Sequence, residues 1–483
     1  MRNKKSARRI LLPKFTMTEM CDETDVGALR VTVSRTTYYR RAKHTPNEAK
    51  RWDGKPNWVK HEFNLFPIVL DSFGIPWAEA AIYIMSRIEN KHFPSMSTFA
   101  SVADDLAAYR RYLDERRVDW MEFPINKLTR PTYRFNAYLK ISVSAGEMSS
   151  LTAKRRMGSV IAFYRWFLDE KIFEAANIPW IERDHLVRFS DRQGFAHTKV
   201  IKTTDLVIAA PKQDDPYAGT IEDGAKLRPL SPQEQAYLLD ALSSIGNTEM
   251  SLVHVFALLT GARIQTILTI RIKDLDLPIP QNPDVDCRLP VGHGTGIDTK
   301  FDKQMVLHIP QWFWRQLQVY ADSPRGRNRR LRANGGDISS QYLFLSRRGA
   351  PFYQSKEDSL RFDPEAHLRH MKSGQAVRQF IGERVVPYVR NVLGISGFYY
   401  RFHDLRATAG MNWTDHQLEL VERGRITLND AREYVRVRLG HESAETTDRY
   451  LRFRKDLEQV RRIEESHEIY LRELCDAAIK DKK

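Results

Sequence analysis

The chain has very few cysteines for its length: there are three in 483 residues, and they lie far apart. Cys21, Cys287 and Cys475 form no CxxC pair and are odd in number, which argues against a disulfide framework and a cysteine-based metal site. The sequence also lacks carboxylate or histidine clusters with the spacing of divalent-metal ligands. We therefore expect a protein of a reducing, cytoplasmic compartment that uses no metal and no other cofactor.

Long apolar runs are missing as well. The basic start, MRNKKSARRILLPKF, has only three consecutive apolar residues before Pro13, too few for a signal peptide. The most apolar segment, FNLFPIVLDSFGIPWAEAAIYIM, is interrupted by prolines and acidic residues, so it does not fit a membrane span. The sequence predicts a soluble protein.

Positive charge is in excess. Lysine and arginine number 76 against 61 aspartate and glutamate residues, which gives a formal net charge of +15. Hydrophobic residues make up 42% of the chain, enough for buried cores, so the excess charge belongs to a folded protein and not to a disordered tail. A nucleic acid is the first partner that this charge predicts, and an anionic membrane surface is the second.

The length is typical of about two to four domains. Residues 1–90 show no fold that the sequence identifies and are interpreted as an accessory DNA- or partner-binding region. Apolar residues at helical spacing predict a helical domain over 91–185. Residues 186–228 lose this periodicity and collect Gly, Asp, Pro and Lys, which indicates a linker. A last domain is predicted over 229–483.

A basic cluster lies at the start of one predicted helix in the second of these regions. Thr152 is the expected N-cap, and Lys154, Arg155 and Arg156 follow in the first turns. Cations at this end oppose the helix dipole, so contact with a DNA phosphate backbone explains them better than helix stability does. A solvated basic face is an equally open alternative.

The last domain begins with a strong helix-start signal. Ser231 is an expected N-cap, Pro232 occupies the first helical position, and Glu234 completes a capping box. Helical patterns dominate from there to the end, apart from a strand-like region at 287–310. The predicted fold class is mainly α with a small β-sheet or hairpin element.

Four short stretches of the last domain hold polar residues that packing does not require. They are TGAR, ending at Arg263; DTKFDKQ, with Lys300 and Lys303; FHDLRATAG, with His403 and Arg406; and LGHESAETTDRYL, with His441 and Tyr450. Each stretch alone is more often structural or solvent-exposed. Together, two arginines suit phosphate oxygens, histidine and lysine can transfer protons, and a tyrosine can act as nucleophile. The set fits phosphodiester transesterification with cations in the place of a metal ion.

In this order and in these strings, the sequence resembles the tyrosine recombinase (phage integrase) family. The resemblance covers residues 228–475 and extends more loosely to 91–185, which is similar to the family's helical core-binding (SAM-like) domain. It implies a tyrosine-recombinase catalytic domain that forms a C-shaped DNA clamp with the core-binding domain.

The resemblance also implies a nucleophile and a phosphate-binding pair. Tyr450 would attack the scissile phosphate and form a 3′-phosphotyrosyl link, and Arg263 and Arg406 would hold the phosphate. Family members often place an acidic residue three positions after the first arginine, but here that position is Thr266. Support for Arg263 is therefore expected from elsewhere in the chain.

Three further roles follow from the same resemblance. Lys300, and not Lys303, would be the general acid to the leaving 5′-oxygen. His403 would act as acid or base near the nucleophile, and His441 would hydrogen-bond the phosphate. The ester is exchanged and not hydrolysed, so rejoining would need neither ATP nor a metal ion.

The function implied is that of a site-specific DNA recombinase or integrase of a mobile genetic element, cytoplasmic and nucleoid-associated. Its partners would be double-stranded DNA at specific recombination sites and further copies of itself, a dimer on one site and a tetramer in the synapse. An amphipathic C-terminal helix at 456–475 is predicted to join the copies; packing on its own domain is the alternative. Two other functions stay open: DNA relaxation of the type IB topoisomerase kind, and DNA binding by a catalytically degenerate relative.

Overall fold

A computed structural model describes most of the chain: residues 6–20, 58–89, 94–190, 196–209, 219–360 and 372–454, with 468, 469 and 472. The chain divides into a first unit, Met1–Gln213 with Lys356–Met371, and a second unit, Asp214–Ser355 with Lys372–Lys483. Helices with small antiparallel sheets make up both units, which confirms the predicted mainly α fold class. Within the described ranges, none of the helices combines the length and apolarity needed to cross a membrane.

The first unit combines two long antiparallel strand pairs with a group of helices. Its strands and helices are β1 (Arg8–Met20), β2 (Trp58–Leu70), α1 (Ala78–Glu89), α2 (Met96–Arg116), a 3₁₀ turn (Lys127–Thr129), α3 (Pro131–Ser144), α4 (Ser150–Asp169), β3 (Glu182–Ser190), β4 (Ala196–Thr204) and a short helix (Lys356–Leu360). β1 pairs with β2, and β3 pairs with β4. Strands and helix α1 therefore occur in the first 90 residues, to which the sequence assigns no fold.

Aromatic side chains dominate the core of the first unit. The hydroxyl groups of Tyr109 on α2 and Tyr164 on α4 lie 2.7 Å apart, and Tyr164 also donates to the Trp120 carbonyl. These bonds satisfy two phenols that are completely buried. The apolar periodicity that predicts helices in this region is confirmed by α2 and α4.

Helix α4 begins three residues earlier than the sequence predicts. The N-cap is Ser149, whose side-chain oxygen accepts a hydrogen bond from the backbone N–H of Thr152 at 3.2 Å. Thr152 therefore lies inside the first turn, and its hydroxyl is 2.9 Å from that of Ser149. The prediction of Thr152 as N-cap is wrong because a second hydroxyl residue upstream takes that position.

The predicted linker, 186–228, contains regular structure. Strands β3 and β4 extend into it, and a second, much shorter hairpin follows at 221–227. The alternation typical of a strand is hidden because the exposed side chains of the first hairpin include apolar ones such as Leu186 and Val200. The stretch therefore contains strands that the sequence did not indicate, and its role as a linker stays a prediction.

The second unit is a helical domain with two small hairpins. Its elements are β5 (Ile221–Glu222), β6 (Lys226–Leu227), α5 (Pro232–Ile245), α6 (Thr248–Thr260), α7 (Ile264–Leu268), a 3₁₀ turn (Ile272–Asp276), β7 (Cys287–Val291), a 3₁₀ turn (Lys300–Asp302), β8 (Met305–Ile309), α8 (Gln311–Asp322), α9 (Pro324–Leu331), α10 (Gln375–Phe380), a π-helical turn (Ile381–Val385), α11 (Val386–Asn391), α12 (Asp404–Glu422), α13 (Leu428–Leu439) and α14 (444–454). The strands pair as β5 with β6 and β7 with β8. The core lies mainly between α5, α6, α8 and the β7–β8 hairpin.

The start of α5 is the one predicted. Ser231 accepts from the backbone N–H of Glu234, and the Glu234 carboxylate accepts from the backbone N–H of Ser231. Pro232 occupies the first turn, where its missing N–H costs nothing. The predicted capping box is confirmed.

The two lysines between β7 and β8 do not lie on a strand. Lys300 opens a 3₁₀ turn, and Lys303 is the residue that ends it. Strand alternation therefore does not apply to them, because both lie in the connection between the two strands. Lys300 and Lys303 therefore differ in the residues that each contacts, and not in a position along a strand.

The predicted C-terminal helix, 456–475, lies almost wholly outside the described residues. The structure describes 468, 469 and 472 there, and these are helical. Its assembly role stays a prediction.

Candidate functional site

The β5–β6 hairpin carries one carboxylate into the interior of the second unit. Ile221 and Leu227 on its two strands are buried in a small apolar cluster that includes Tyr450. Asp223 follows β5, is 4% exposed, and donates its backbone N–H to the Ala225 carbonyl at 3.0 Å. The hairpin therefore places the Asp223 side chain beside the buried tyrosine.

Arg406, in the first turn of α12, is the closest partner of this carboxylate. Its side chain is 3% exposed, and its Nε donates to Asp223 Oδ2 at 2.6 Å. Its two terminal nitrogens donate to the carbonyls of Gly261 (3.0 Å) and Leu439 (2.8 Å). These carbonyls lie at the ends of α6 and α13, where helices leave acceptors without intrahelical partners. One guanidinium thus joins the hairpin to the ends of two helices.

Gly440 explains why α13 stops where it does. It ends the helix in the left-handed conformation, with φ 65°, which glycine adopts at little cost. The chain then turns, and the backbone N–H of His441 donates to the Arg436 carbonyl at 3.0 Å. A glycine therefore marks this helix end in the sequence, and the turn directs His441 inward, where it is 6% exposed.

His441 and Tyr450 both contact Asp223. His441 Nε2 and the Tyr450 hydroxyl each lie 3.1 Å from Asp223 Oδ2. His441 Nδ1 lies 3.0 Å from the Thr447 hydroxyl. An ionised carboxylate can only accept, so in the neutral imidazole Nε2 carries the proton and Nδ1 accepts from Thr447. His441 therefore offers an N–H donor to whatever anion lies at the Asp223 position.

The charges in this cluster fix the protonation states of its members. Burial opposes ionisation of Asp223, but the hydrogen bond from His441 and the charge of Arg406 outweigh it and lower the pKa of the carboxyl. Burial and then the Asp223 charge raise the pKa of Tyr450 well above its usual value. The phenol is therefore protonated and donates its hydrogen bond to the carboxylate.

Arg263 is held less firmly than Arg406. Its side chain is 23% exposed, and a terminal nitrogen lies 3.7 Å from Asp223 Oδ1. In the described part of the chain, its buried Nε has no hydrogen-bond partner. Burial and the nearby Arg406 lower its pKa to about 10, so it stays charged at neutral pH. At Thr266 the expected acidic residue is absent, and the carboxylate near Arg263 comes from Asp223 instead.

His403 lies next to the same carboxylate. Burial, with the charges of Arg406 and Arg263, lowers the pKa of His403 to about 4, although Asp223 opposes this effect. The imidazole is therefore neutral at pH 7. A neutral imidazole has a free ring nitrogen that can accept a proton.

Lys300 and Lys303 differ in what they contact. A Cβ built on Gly224 would lie 2.8 Å from the Lys300 amino nitrogen, so Lys300 packs directly over the turn after Asp223. The Lys303 amino group instead donates to the Gly440 carbonyl at 2.8 Å and lies 3.7 Å from a Glu442 oxygen. Lys303 is engaged at the α13 end, while Lys300 lies at the hairpin turn.

The structure thus brings six dispersed residues together around one turn. Those that contact or adjoin Asp223–Gly224 are Arg263, Lys300, His403, Arg406, His441 and Tyr450. They are the six that the sequence nominated. Elsewhere in the described residues, no group of three or more His, Cys, Asp or Glu side chains is placed to hold a metal ion.

The three basic residues nominated for DNA contact lie on α4 of the first unit. Lys154 and Arg155 are exposed, and Arg156 is half-buried. Arg155 forms a 3.0 Å ion pair with the buried carboxylate of Asp105. Arg155 therefore has a partner within its own unit, and its DNA contact stays a prediction.

Asp223 is the site residue that the sequence analysis missed. It lies in the stretch taken as a linker, 40 or more residues from each of the site side chains that it contacts. A signal was present: the string IEDGAKL has an Asp-Gly pair between the apolar residues Ile221 and Leu227. Asp-Gly between short apolar segments is typical of a β-hairpin turn.

Comparisons with known proteins give matches among solved structures alone. No protein-family profile and no curated protein sequence matches the chain. One matching structure is XerH site-specific recombinase bound to palindromic difH substrate, with 14% identity, a TM-score of 0.42, and coverage of 77% of this chain and 81% of that chain. A second is Tn1549 transposon integrase in complex with transposon right end DNA, with 14% identity, a TM-score of 0.42, and coverage of 77% of this chain and 94% of that chain. A third is a lambda integrase dimer bound to a COC′ core site, with 14% identity, a TM-score of 0.41, and coverage of 77% of this chain and 94% of that chain. At this distance the likeness carries no argument about activity.

Removing each arginine should have a different effect on stability. Arg406→Ala removes the closest charged partner of the buried Asp223 carboxylate, and we expect it to lower the free energy of unfolding by about 3–5 kcal/mol. Arg263→Ala removes a longer, partly exposed contact and should cost about 1 kcal/mol or less. Chemical denaturation of the full chain measures both. Equal losses in the two variants would show that Arg406 does not hold the site together.

Close packing at Gly410 offers a second test. A Cβ there would lie 2.4 Å from Tyr450 Cε1, so alanine must displace the tyrosine ring. We expect Gly410→Ala to destabilise the protein by about 1–3 kcal/mol, the usual cost of overpacking. The control is Gly158→Ala on α4, where a Cβ would meet nothing within 4 Å and alanine should be neutral or stabilising. The same result for both variants would contradict the packing of Tyr450 on α12.

Proposed function

We propose that this protein is a site-specific DNA recombinase or integrase that cuts and rejoins DNA strands through a covalent bond to Tyr450. The observation that supports this most is the convergence of arginine, histidine and tyrosine side chains on a single buried anion. The motif resemblance supplies the reaction class. The geometry supplies a position where an anionic group lies within reach of the phenol.

The Asp223 carboxylate marks that position. Arg406 and His441 donate hydrogen bonds to it, and Arg263 lies within 3.7 Å. Permanently charged guanidinium groups and an N–H donor suit the non-bridging oxygens of a phosphate as well as those of a carboxylate. In the reaction they would stabilise the negative charge of the pentavalent phosphorus, a role that a metal ion has elsewhere.

The chemistry exchanges one ester for another. The Tyr450 oxygen attacks phosphorus, the bond from phosphorus to the 5′-oxygen breaks, and the 3′-phosphate becomes esterified to tyrosine. The phenolic proton passes to a base, a role that the motif resemblance gives to His403, whose imidazole is neutral at pH 7. Lys300 protonates the departing 5′-oxygen. The reverse steps rejoin the strand, and because the number of ester bonds is unchanged, neither ATP nor a metal ion is required.

The proposal extends to partners and place of action. The protein would bind duplex DNA at specific sites with its two units and assemble there as a dimer, then as a tetramer in the synapse, through the helix at 456–475. Lys154, Arg155 and Arg156 would contact the DNA backbone. It would act in the cytoplasm at the nucleoid as part of a mobile genetic element.

Two other functions share parts of this argument. DNA relaxation of the type IB topoisomerase kind uses the same chemistry without strand exchange, and incubation with supercoiled plasmid that lacks partner sites would reveal it. A DNA-binding protein without catalysis would keep the contacts and form no covalent adduct. The presence of all six nominated residues favours an active enzyme over the second alternative.

The nucleophile can be tested directly. Tyr450→Phe removes one hydroxyl and should bind DNA normally, yet form no covalent protein–DNA adduct. The assay uses nicked suicide duplexes drawn from the DNA flanking the gene, with adducts separated on a denaturing gel. Tyr399→Phe, an exposed tyrosine of the same unit, is the control and should form adducts at the normal rate. An adduct formed by the Tyr450→Phe variant would show that Tyr450 is not the nucleophile.

The general acid can be tested with a modified leaving group. A 5′-bridging phosphorothiolate gives a thiolate that departs without a proton, so it should restore cleavage to Lys300→Ala. With the ordinary phosphodiester, we expect this variant to be slower by about 10²-fold or more, since 10² is the lower end of the usual contribution of general acid catalysis. Lys303→Ala serves as the matched variant, and its cleavage rate should not increase on the phosphorothiolate substrate. Rescue of the Lys303 variant alone would reverse the two roles.

A further inference from the structure

Asp223 occupies the place where the proposed reaction needs a phosphate. Its Oδ2 lies 2.6 Å from Arg406 Nε, 3.1 Å from His441 Nε2 and 3.1 Å from the Tyr450 hydroxyl. We infer that the Asp223 carboxylate is an internal occupant of the phosphate site, and that the turn at 222–225 must withdraw before DNA is cut. This inference rests on the proposed function, because that function defines which anion the site binds.

A phosphate and this carboxylate cannot share the site. Reacting atoms must approach to about 3–3.5 Å before a bond forms, and an Asp223 oxygen already lies at that distance from the Tyr450 oxygen. Two anions bound by the same arginine would also repel each other, more strongly inside a protein than in water. Entry of the DNA phosphate therefore requires that Asp223 leave.

A permanent supporting role for Asp223 fits the distances less well. A carboxylate that replaces the acid missing at Thr266 should bind Arg263 most closely, but that is its longest contact at 3.7 Å. Arg263 Nε has no partner among the described residues. The shortest contacts of Asp223 are instead with Arg406, His441 and the nucleophile itself. This is the pattern of an occupant in the reactive position.

The hairpin that carries Asp223 is small enough to move. Each strand has two residues, and such a ribbon has little stability of its own. Beyond the Asp223 contacts, Ile221 and Leu227 pack in the apolar cluster, Arg449 donates to the Glu222 carbonyl at 3.0 Å and lies 3.5 Å from the Glu222 carboxylate, and Arg401 donates to the Lys226 carbonyl at 2.5 Å. While the turn is in place, Tyr450 is both protonated and covered. The nucleophile then becomes available only when an incoming phosphate displaces the carboxylate.

The experiment compares the binding of inorganic phosphate to the full chain and to Asp223→Asn. Asparagine keeps the shape of the turn and removes the charge, so phosphate should bind about tenfold tighter or more, since charge repulsion at contact distance is lost. Asp240→Asn is the control, because it makes the same chemical change at an exposed residue of α5 outside the hairpin. Its dissociation constant for phosphate should be within about twofold of that of the unmodified protein, which is a difference in binding free energy of under ~0.5 kcal/mol. Phosphate titrations by calorimetry give all three constants.

The rate of covalent adduct formation is a second measurement. An Asp223 that occupies the phosphate site and an Asp223 that supports Arg263 predict opposite changes in this rate. On the suicide duplex, Asp223→Asn should form the Tyr450 adduct faster than the unmodified protein. A supporting carboxylate would instead make the variant slower. Phosphate affinity that is unchanged or weaker in Asp223→Asn, or a slower adduct, would overturn the inference. If no protein formed an adduct, the proposed function would fail, and the phosphate titration would still decide the occupant role.

A second variant keeps the test decisive if Asp223→Asn does not fold. Gly224 has φ 71°, a conformation that a β-branched residue rarely adopts, and it lies against Lys300. Gly224→Val should therefore distort the turn with no change of charge and raise phosphate affinity about threefold or more, which is ~0.7 kcal/mol. Phosphate affinity equal to that of the unmodified protein would show that the turn does not cover the site.

Discussion

The buried pairing of Arg406 with Asp223 is the interaction on which the second unit's site depends. Both side chains are almost fully buried, and a charge in that position is tolerated only when it is paired and hydrogen-bonded. Arg406 meets this requirement completely, because its remaining donors contact the carbonyls of Gly261 and Leu439. Three segments that are distant in sequence are therefore held by one planar group.

The same contacts explain where the other site residues lie. Arg406 binds the carbonyls at the ends of α6 and α13, and the chain turns immediately after each of them. Arg263 follows Gly261 by two positions, and His441 follows Leu439 by two. Both side chains thus leave from turns that Arg406 fixes. A lysine could not replace it, since a single ammonium lacks the fork that reaches three acceptors in fixed directions.

Features of the fold and the site could be predicted from the sequence where they depend on residues that are close together along the chain. The start of α5 was predictable because its capping box involves residues three apart, and the end of α13 because glycine marks it. The six nominated residues were found through short strings whose order and spacing resemble a family. Asp223 could not be found in this way, since its partners lie 40 to 227 residues away, and its Asp-Gly turn stands in a stretch without periodicity. The two lysines show the same limit, because their difference arises from contacts with Gly224 and Gly440 and not from strand register.

The excess positive charge of the site affects both the folding of the pocket and the proposed displacement of Asp223. Arg263, Arg406 and Lys300 bring three positive charges together, and the neutral His403 and His441 add none. An interior with this excess is costly unless an anion is present, and in solution without DNA the chain itself must provide it. Asp223 supplies that anion, which allows the cationic pocket to form before any phosphate arrives. Under the proposed function the same carboxylate lies against the Tyr450 hydroxyl, so the counter-ion that lets the pocket form would also have to leave before the reaction.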